Sequence, residues 1–317
     1  MESLSSIVKN IKDKDFFCIL THNYPDGDAV GSAVGLCHAL QKVGKHAKVN
    51  FGSEIPEKFK FLLDYIAQDD FIPQSYISVD LADIGLLHES VKGLSENIDF
   101  CIDHHKSNKN YANHTFVDAT SAANCEIIFE MLGELGCDLD KELAECLYVG
   151  IATDTGGFMY SNVTARTHKI VSEILGTGID SGKINEKLFI LEPKKHFELV
   201  KTIYNNLKFY FDDKVAVTCI TLSEMSKIGI TDSELDGIAS IPIKIEGVEI
   251  GITVREKPNG TCKVSVRTRS QIDADEFCKV FDGGGHERAG GFTVSGNAFD
   301  VVEKIKKTVS DFTGWYM

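Results

Sequence analysis

Through the first half of the chain, short apolar runs stop on aspartate or histidine and give way to stretches of helical length. Asp15–Thr21, His46–Phe51, Tyr76–Asp80 and Ile98–Asp103 have the length and composition of buried strands. Ala29–Val43, ending at Gly44, and Pro56–Ile66, Ile84–Val91, Ser121–Leu135 and Lys141–Ile151 carry helical periodicity. Strands alternating with helices build βαβ units. The expected first domain is therefore α/β, a mostly parallel sheet flanked by helices. In open sheets of this kind ligands bind outside the carboxyl ends of the strands. Polar residues that follow the apolar runs then converge at one edge.

Four clusters of His and Asp are read at or just after such ends. They are His22-Asn-Tyr-Pro-Asp26-Gly-Asp28-Ala-Val-Gly31-Ser32, the lone Asp80, Asp103-His104-His105, and Asp154 in Val-Gly-Ile-Ala-Thr-Asp-Thr-Gly. Each alone has a plainer reading. Pro-Asp-Gly-Asp is good turn chemistry, a single Asp after a strand caps a helix, and a His pair can close a loop. Together they form a set of oxygen and imidazole donors without a thiolate. Such a set suits Mn²⁺ or Mg²⁺, then Co²⁺ or Zn²⁺, over a Cys-rich zinc site. Four carboxylates bring a charge of about −4, which two divalent ions neutralise; without them the carboxylates repel and their pKa values rise. Two such ions about 3.5–4 Å apart can share a bridging hydroxide and stabilise both the attacking and leaving oxygens of a phosphoryl group.

Charge limits the partners. Lys and Arg total 33 against 47 Asp and Glu, a net charge of −14. A chain this acidic does not coat long duplex nucleic acid, so any phosphate must be gripped by local cations. The nine cysteines include no CxxC pair and sit mostly in apolar runs such as FFCIL and AVTCI, as buried reduced thiols do. The longest early apolar run, Phe16–Leu20, is too short for a signal-peptide core or a membrane span. The expected location is the cytoplasm, with no membrane partner.

The second half reads as a smaller α+β domain. Lys214–Leu222, Val248–Arg255 and Cys262–Thr268 are strand candidates, with a hairpin turn at Lys257–Gly260. Ile272–Phe281 and Phe299–Val309 are helical in pattern, and the charged stretch from Ile184 to Lys208 reads as a helical connector. The boundaries expected are 1–185, a linker over 186–210, and 211–317. Asp282-Gly-Gly-Gly-His286-Glu-Arg-Ala-Gly-Gly291 reads as a Gly-rich loop whose successive N–H groups could hold an anion. Arg267 and Arg269, two apart in a strand, are expected to face one side. Loop, His and Arg together suggest a phosphate or carboxylate clamp.

These motifs, in this order along almost the whole chain, resemble the DHH phosphoesterase superfamily. Gly283-Gly-Gly-His-x-x-Ala-Gly-Gly resembles the motif of its DHH-associated C-terminal domain. Length and layout are similar to its bifunctional oligoribonucleases and pAp phosphatases. The resemblance implies that His22 and Asp26 bind one metal and that Asp28, His104 and Asp154 bind the other, with Asp80 bridging. It implies that Asp103 orients a His and that His105 faces the substrate phosphate as acid or electrostatic stabiliser. Arg267, Gly284, Gly285 and His286 would hold the far end of the nucleotide. The implied activity is hydrolysis of short oligoribonucleotides and of pAp with two Mn²⁺ (Mg²⁺ or Co²⁺ as alternatives) and a bridging hydroxide. The alternative substrate is a cyclic or linear dinucleotide such as c-di-AMP or pApA. A homodimer is compatible with the layout.

Overall fold

Burial on both faces builds the first sheet. The computed structural model describes residues 2–68, 70–231, 235, 237–269 and 272–316. The chain divides into two compact units, Met1–Leu191 and Glu192–Met317. In the first unit, β1 (Phe17–Leu20), β2 (Ala47–Asn50), β3 (Ser75–Val79), β4 (Ile98–Asp103) and β5 (His114–Val117) form an all-parallel sheet of order β2-β1-β3-β4-β5. The chain leaves β1 for β2 on one side and returns to β3 on the other. The carboxyl ends of β1 and β3 therefore flank the point where strand order reverses, where such sheets bind ligands. β5 was not foreseen, because His-Thr-Phe-Val is short and has no apolar run.

Helices α1 (Leu4–Lys12), α2 (Gly27–Lys42), α3 (Asn124–Leu135), α4 (Lys141–Asp154), α5 (Ala165–Gly176) and α6 (Ser181–Asn185) complete the first unit. A π-turn at Glu186–Ile190 follows α6. Phe17, Ile19, Ile77 and Phe100 of the sheet share one core with Val34 of α2, Ile128 of α3 and Leu147 of α4. The helices expected over Pro56–Ile66 and Ile84–Val91 are instead 3₁₀ segments at Glu57–Tyr65 and Ile84–Leu86, and a further 3₁₀ segment, Lys92–Asn97, follows. Gly85 and Gly93 in the last two are poor helix formers.

Small residues decide how α2 meets α4. Gly27, Gly31 and Gly35 recur every fourth position and so line one face of α2. A methyl group on Gly31 would stand 2.5 Å from the Cys146 carbonyl oxygen, and one on Gly150 would stand 2.7 Å from Asp28 Oδ1. The two helices thus touch nearly backbone to backbone, which larger side chains would prevent.

In the second unit, β6 (Lys208–Tyr210), β7 (Val215–Ile220), β8 (Ile250–Glu256), β9 (Thr261–Thr268), β10 (Gly284–His286) and β11 (Ala289–Ser295) form one sheet of order β10-β11-β9-β8-β7-β6. Only the β7–β8 pair is parallel. Its helices are α7 (Lys194–Asn205), α8 (Leu222–Ile228), α9 (Ala274–Lys279) and α10 (Ala298–Thr313). One face of the sheet, with Val217, Ile252, Val264 and Phe292, packs on Phe277 of α9 and Ile305 of α10. Ile220 faces the other way, onto Leu199 and Ile203 of α7 and Met225 of α8. All nine cysteines are free and only Cys219 is not buried. Among the described residues no helix is long and apolar enough to cross a membrane.

The close α2–α4 contact generates a paired expectation. Gly31→Ala should destabilise the fold by about 1–3 kcal/mol, the usual penalty for overpacking. Gly133→Ala, on an exposed turn of α3 with nothing within 4 Å of the new methyl, should stabilise by about 0.5–1 kcal/mol. Urea unfolding of the two variants measures both; equal effects would mean that α2 and α4 are not held at this distance.

Candidate metal centre

β1 ends one residue before Thr21 and delivers His22; β3 delivers Asp80; β4 ends on Asp103 and delivers His104 and His105. The helix α2 adds Asp26 as its N-cap, accepting from the amides of Asp28 and Ala29 at 3.1 Å, and Asp28 in its first turn. Asp154 is a correction. It is the last residue of α4 and follows no strand. The helix read over Lys141–Ile151 continues for three more residues, to Asp154. A carboxylate at a helix C-terminus meets the negative end of the helix dipole, so Asp154 is favoured only beside positive charge.

The structure brings seven of the predicted residues together. His22 Nε2 lies 3.9 Å from Asp26 Oδ1 and 3.9 Å from Asp80 Oδ2. His104 Nε2 lies 3.8 Å from Asp28 Oδ2, 3.4 Å from Asp80 Oδ1 and 3.5 Å from Asp154 Oδ2. His105 Nδ1 lies 3.5 Å from Asp80 Oδ1. The donors form two triads, His22–Asp26–Asp80 and Asp28–His104–Asp154, and a third group, Asp80–His104–His105. One oxygen of Asp80 faces His22 and the other faces His104. Asp80 has φ +53, a left-handed conformation that Asp tolerates better than most residues, and it aims the carboxylate back over the sheet edge.

Hydrogen bonds fix which ring nitrogens point inward. His22 Nδ1 meets the Asn23 carbonyl at 2.9 Å, and His104 Nδ1 meets the Ser121 carbonyl at 3.2 Å. A carbonyl only accepts, so each ring carries its proton on Nδ1 and turns Nε2 to the carboxylates. Asp80 Oδ1 is buried and has no hydrogen-bond donor. An orphaned buried oxygen and inward imidazole lone pairs fit a cation. Without one the cluster holds protons. Burial pushes the Asp28 carboxyl well up, helped by the charges of Asp80 and Asp154. Burial likewise carries Asp154 to about 6. Burial opposes a charge on His104, but the facing carboxylates of Asp80, Asp28 and Asp154 outweigh it and push its pKa up to about 10.

Asp103 stands apart from these triads. It is fully buried, and its Oδ1 takes hydrogen bonds from His105 Nδ1 and the His104 amide, both at 2.8 Å. Its Oδ2 accepts from Asn108 Nδ2 at 2.6 Å. Burial alone would raise its pKa, yet these donors hold it below the usual carboxylate range. Its bond fixes the His105 ring and raises the His105 pKa. Asn108 was not foreseen, nor were the amides of Asn124 and Cys125, which donate to Asp28 at 2.5 and 2.9 Å. Helix α3 has no side-chain cap of its own at Ala123, and the carboxylate of Asp28 takes that place.

The second unit corrects two expectations. The Gly-rich segment is not a loop. Gly284–His286 is the edge strand β10, paired with Ala289–Gly291. Its glycines permit close approach: a methyl on Gly290 would sit 2.7 Å from Cys278 Sγ of α9. The Gly283 amide donates to the Cys278 carbonyl and the Gly285 amide to Asp275 Oδ1 at 2.8 Å, so neither is open to an anion. Arg269 does not act with Arg267; its guanidinium donates to the Ile243 carbonyl at 2.8 Å. Arg267, Ala289 and His286 are successive register partners across β9, β11 and β10. Arg267 and His286 therefore share one face of the sheet.

Residues 17–151 match the DHH family, N-terminal domain, and residues 199–314 match the DHHA1 domain. A Streptococcus mutans protein named "probable bifunctional oligoribonuclease and PAP phosphatase NrnA" is 30% identical, over 96% of this chain and 99% of its own. The bifunctional oligoribonuclease and PAP phosphatase NrnA of Thermus thermophilus is 26% identical, over 98% of this chain and 94% of its own. The crystal structure of an exopolyphosphatase-related protein from Bacteroides fragilis superposes with a TM-score of 0.84 at 26% identity, covering 98% of this chain and 96% of that one.

The protonated state of the cluster sets a pH expectation. Folded pKa values above the unfolded ones, about 6 for Asp154 and about 10 for His104, mean that protons bound there stabilise the fold. That stability is complete below the unfolded values and is lost as pH rises through the folded ones. Chelator-stripped protein should therefore melt at a lower temperature at pH 8 than at pH 6. A saturating divalent cation displaces the protons, so its stabilisation should be larger at pH 8. Thermal melts with and without cation at the two pH values check this; cation stabilisation that is larger at pH 6 would contradict the assignment.

Proposed function

Since the chain belongs to the DHH family of phosphoesterases and carries a DHHA1 domain, we propose that it hydrolyses short oligoribonucleotides to mononucleotides and dephosphorylates pAp at this centre. The observation that carries the reading is the pair of donor triads with Asp80 between them, one oxygen facing His22 and the other facing His104. His22 and Asp26 would hold one divalent cation and Asp28, His104 and Asp154 the other, with the Asp80 carboxylate available to both. Oxygen and imidazole donors without thiolate favour Mn²⁺, with Mg²⁺ or Co²⁺ as alternatives. When bound, the cations supply charge that polarises the phosphoryl oxygens and makes the attacking water more acidic.

The chain's own residues do the remainder. Asp103 stays ionised and holds His105 Nδ1–H, which leaves Nε2 of a half-exposed ring for the substrate. With its pKa raised, His105 can keep a proton and donate it as a hydrogen bond to a phosphoryl oxygen or leaving group. Arg267 and His286 offer donors to the phosphate or base at the far end of a short substrate. Gly284 and Gly285 keep that strand surface bare for close approach. The free thiols are those of a reducing compartment, and we assign the protein to the cytoplasm.

Net charge supports short substrates. A chain of two to five nucleotides presents few phosphates to a surface of net charge −14. Each further phosphate adds repulsion instead of counterion-release affinity, screened over about 8–10 Å at physiological salt. Initial rates with Mn²⁺ on RNAs of two, five, ten and twenty-four nucleotides should fall steeply beyond five, and pAp should be hydrolysed. Equal rates at all lengths would sink the short-substrate reading. Activity on cyclic di-AMP or pApA alone, without five-mer or pAp, would assign a signalling dinucleotide instead.

Asp80→Asn tests the shared ligand. It keeps the shape and removes the charge that faces His22 on one side and His104 on the other. The folded variant should lose more than a hundredfold in turnover, equivalent to about 2.7 kcal/mol of barrier. A residual rate above a tenth of wild type would exclude a bridging Asp80.

A further inference from the structure

One short segment braces a single triad. From the end of β5 into the first turn of α3, residues 118–125 bond directly to His104 and Asp28 and reach the Asp154 backbone through Asn162. The Ser121 carbonyl accepts from His104 Nδ1 at 3.2 Å. The amides of Asn124 and Cys125 grip the two oxygens of Asp28. Asn162 Nδ2 donates to the Ala122 carbonyl at 3.0 Å and to the Asp154 carbonyl at 3.1 Å, which ties the segment to the end of α4. The other triad is braced elsewhere: His22 bonds to the Asn23 carbonyl and Asp26 to amides of its own helix. Among the described residues neither bonds to this segment.

Asp118 shapes the segment. Its amide donates to the Asp103 carbonyl at 3.0 Å, which anchors it beside the end of β4. Its Oδ1 accepts from the Thr120 amide and hydroxyl, and its Oδ2 accepts from the Ser121 hydroxyl at 2.9 Å. These bonds curl the turn so that the Ser121 carbonyl faces His104. Arg166, in the first turn of α5, holds Asp118 Oδ2 at 2.6 Å through one guanidinium nitrogen and Glu130 Oε2 of α3 at 2.7 Å through the other. The planar fork clamps both ends of the segment, the Asp118 turn and the helix that starts at Asn124.

We infer that Arg166 and Asp118 are positioning residues that set the affinity of the Asp28–His104–Asp154 metal position and leave the His22–Asp26 position unchanged. The inference rests on the metal reading of the cluster. Loosening the clamp frees the Ser121 carbonyl and the amides at the start of α3, so His104 and Asp28 lose their fixed orientation. Partners that orient ligands in this way typically cost 10–100-fold in metal affinity when removed.

The test is a calorimetric titration of the chelator-stripped full chain with Mn²⁺, with free Mn²⁺ counted by electron paramagnetic resonance and a thermal melt run alongside. Wild type should show two sites. Arg166→Ala should weaken one of them 10–100-fold and leave the other within about threefold. Arg166→Lys, which can pair with Asp118 but cannot span to Glu130, should fall between. Should Arg166→Ala not fold, Asp118→Asn, which keeps the shape of the turn, gives the same reading. Lower melting temperature with both sites intact, or equal weakening of both, would overturn the inference and mark the clamp as structural only. Wild type that binds no cation would instead overturn the metal reading on which it rests.

Discussion

Mutual repulsion among Asp26, Asp28, Asp80 and Asp154 is the interaction that the first unit is built to withstand. Asp28 and Asp80 are almost fully buried. Asp154 adds a third carboxylate at the wrong end of a helix dipole. Nothing in the hydrophobic core offsets that cost. Two α3 amides donate to Asp28, and the imidazoles of His22 and His104 stand beside Asp80 and Asp154. The same repulsion raises the Asp28 and Asp154 pKa values, so without other positive charge the cluster takes up protons.

Holding such groups together demands rigid supports. The strand order reverses between β1 and β3, so two loops splay apart and leave room for His22 and Asp80 at one edge. Glycines let α2 approach α4 until Asp28 and Asp154 face the same imidazole. The backbone of 118–125 then fills the space behind that imidazole. Sites carried on strands and helices in this way are held more firmly than sites on loops.

The second unit follows another logic. One face of its sheet is closed over by α9 and α10. On the other face, Arg267 and His286 stand in one cross-strand row.

The sequence by itself determined the donor set. His22, Asp26 and Asp28 lie in one local motif, and Asp80 and Asp103-His104-His105 follow apolar runs that can only be buried strands. Their convergence followed from the rule that parallel strands share a carboxyl edge. Tertiary structure decided the remainder, because those features depend on contacts between distant residues. Lys141–Ile151 reads as helix from its periodicity, but that the helix runs on to Asp154 is seen only in the structure. Three glycines before His286 carry no strand signal, yet pairing with β11 and the fit against α9 make them an edge strand. Arg166 and Asp118 are 48 positions apart. No local pattern joins them, and only the fold brings the clamp to the candidate metal centre.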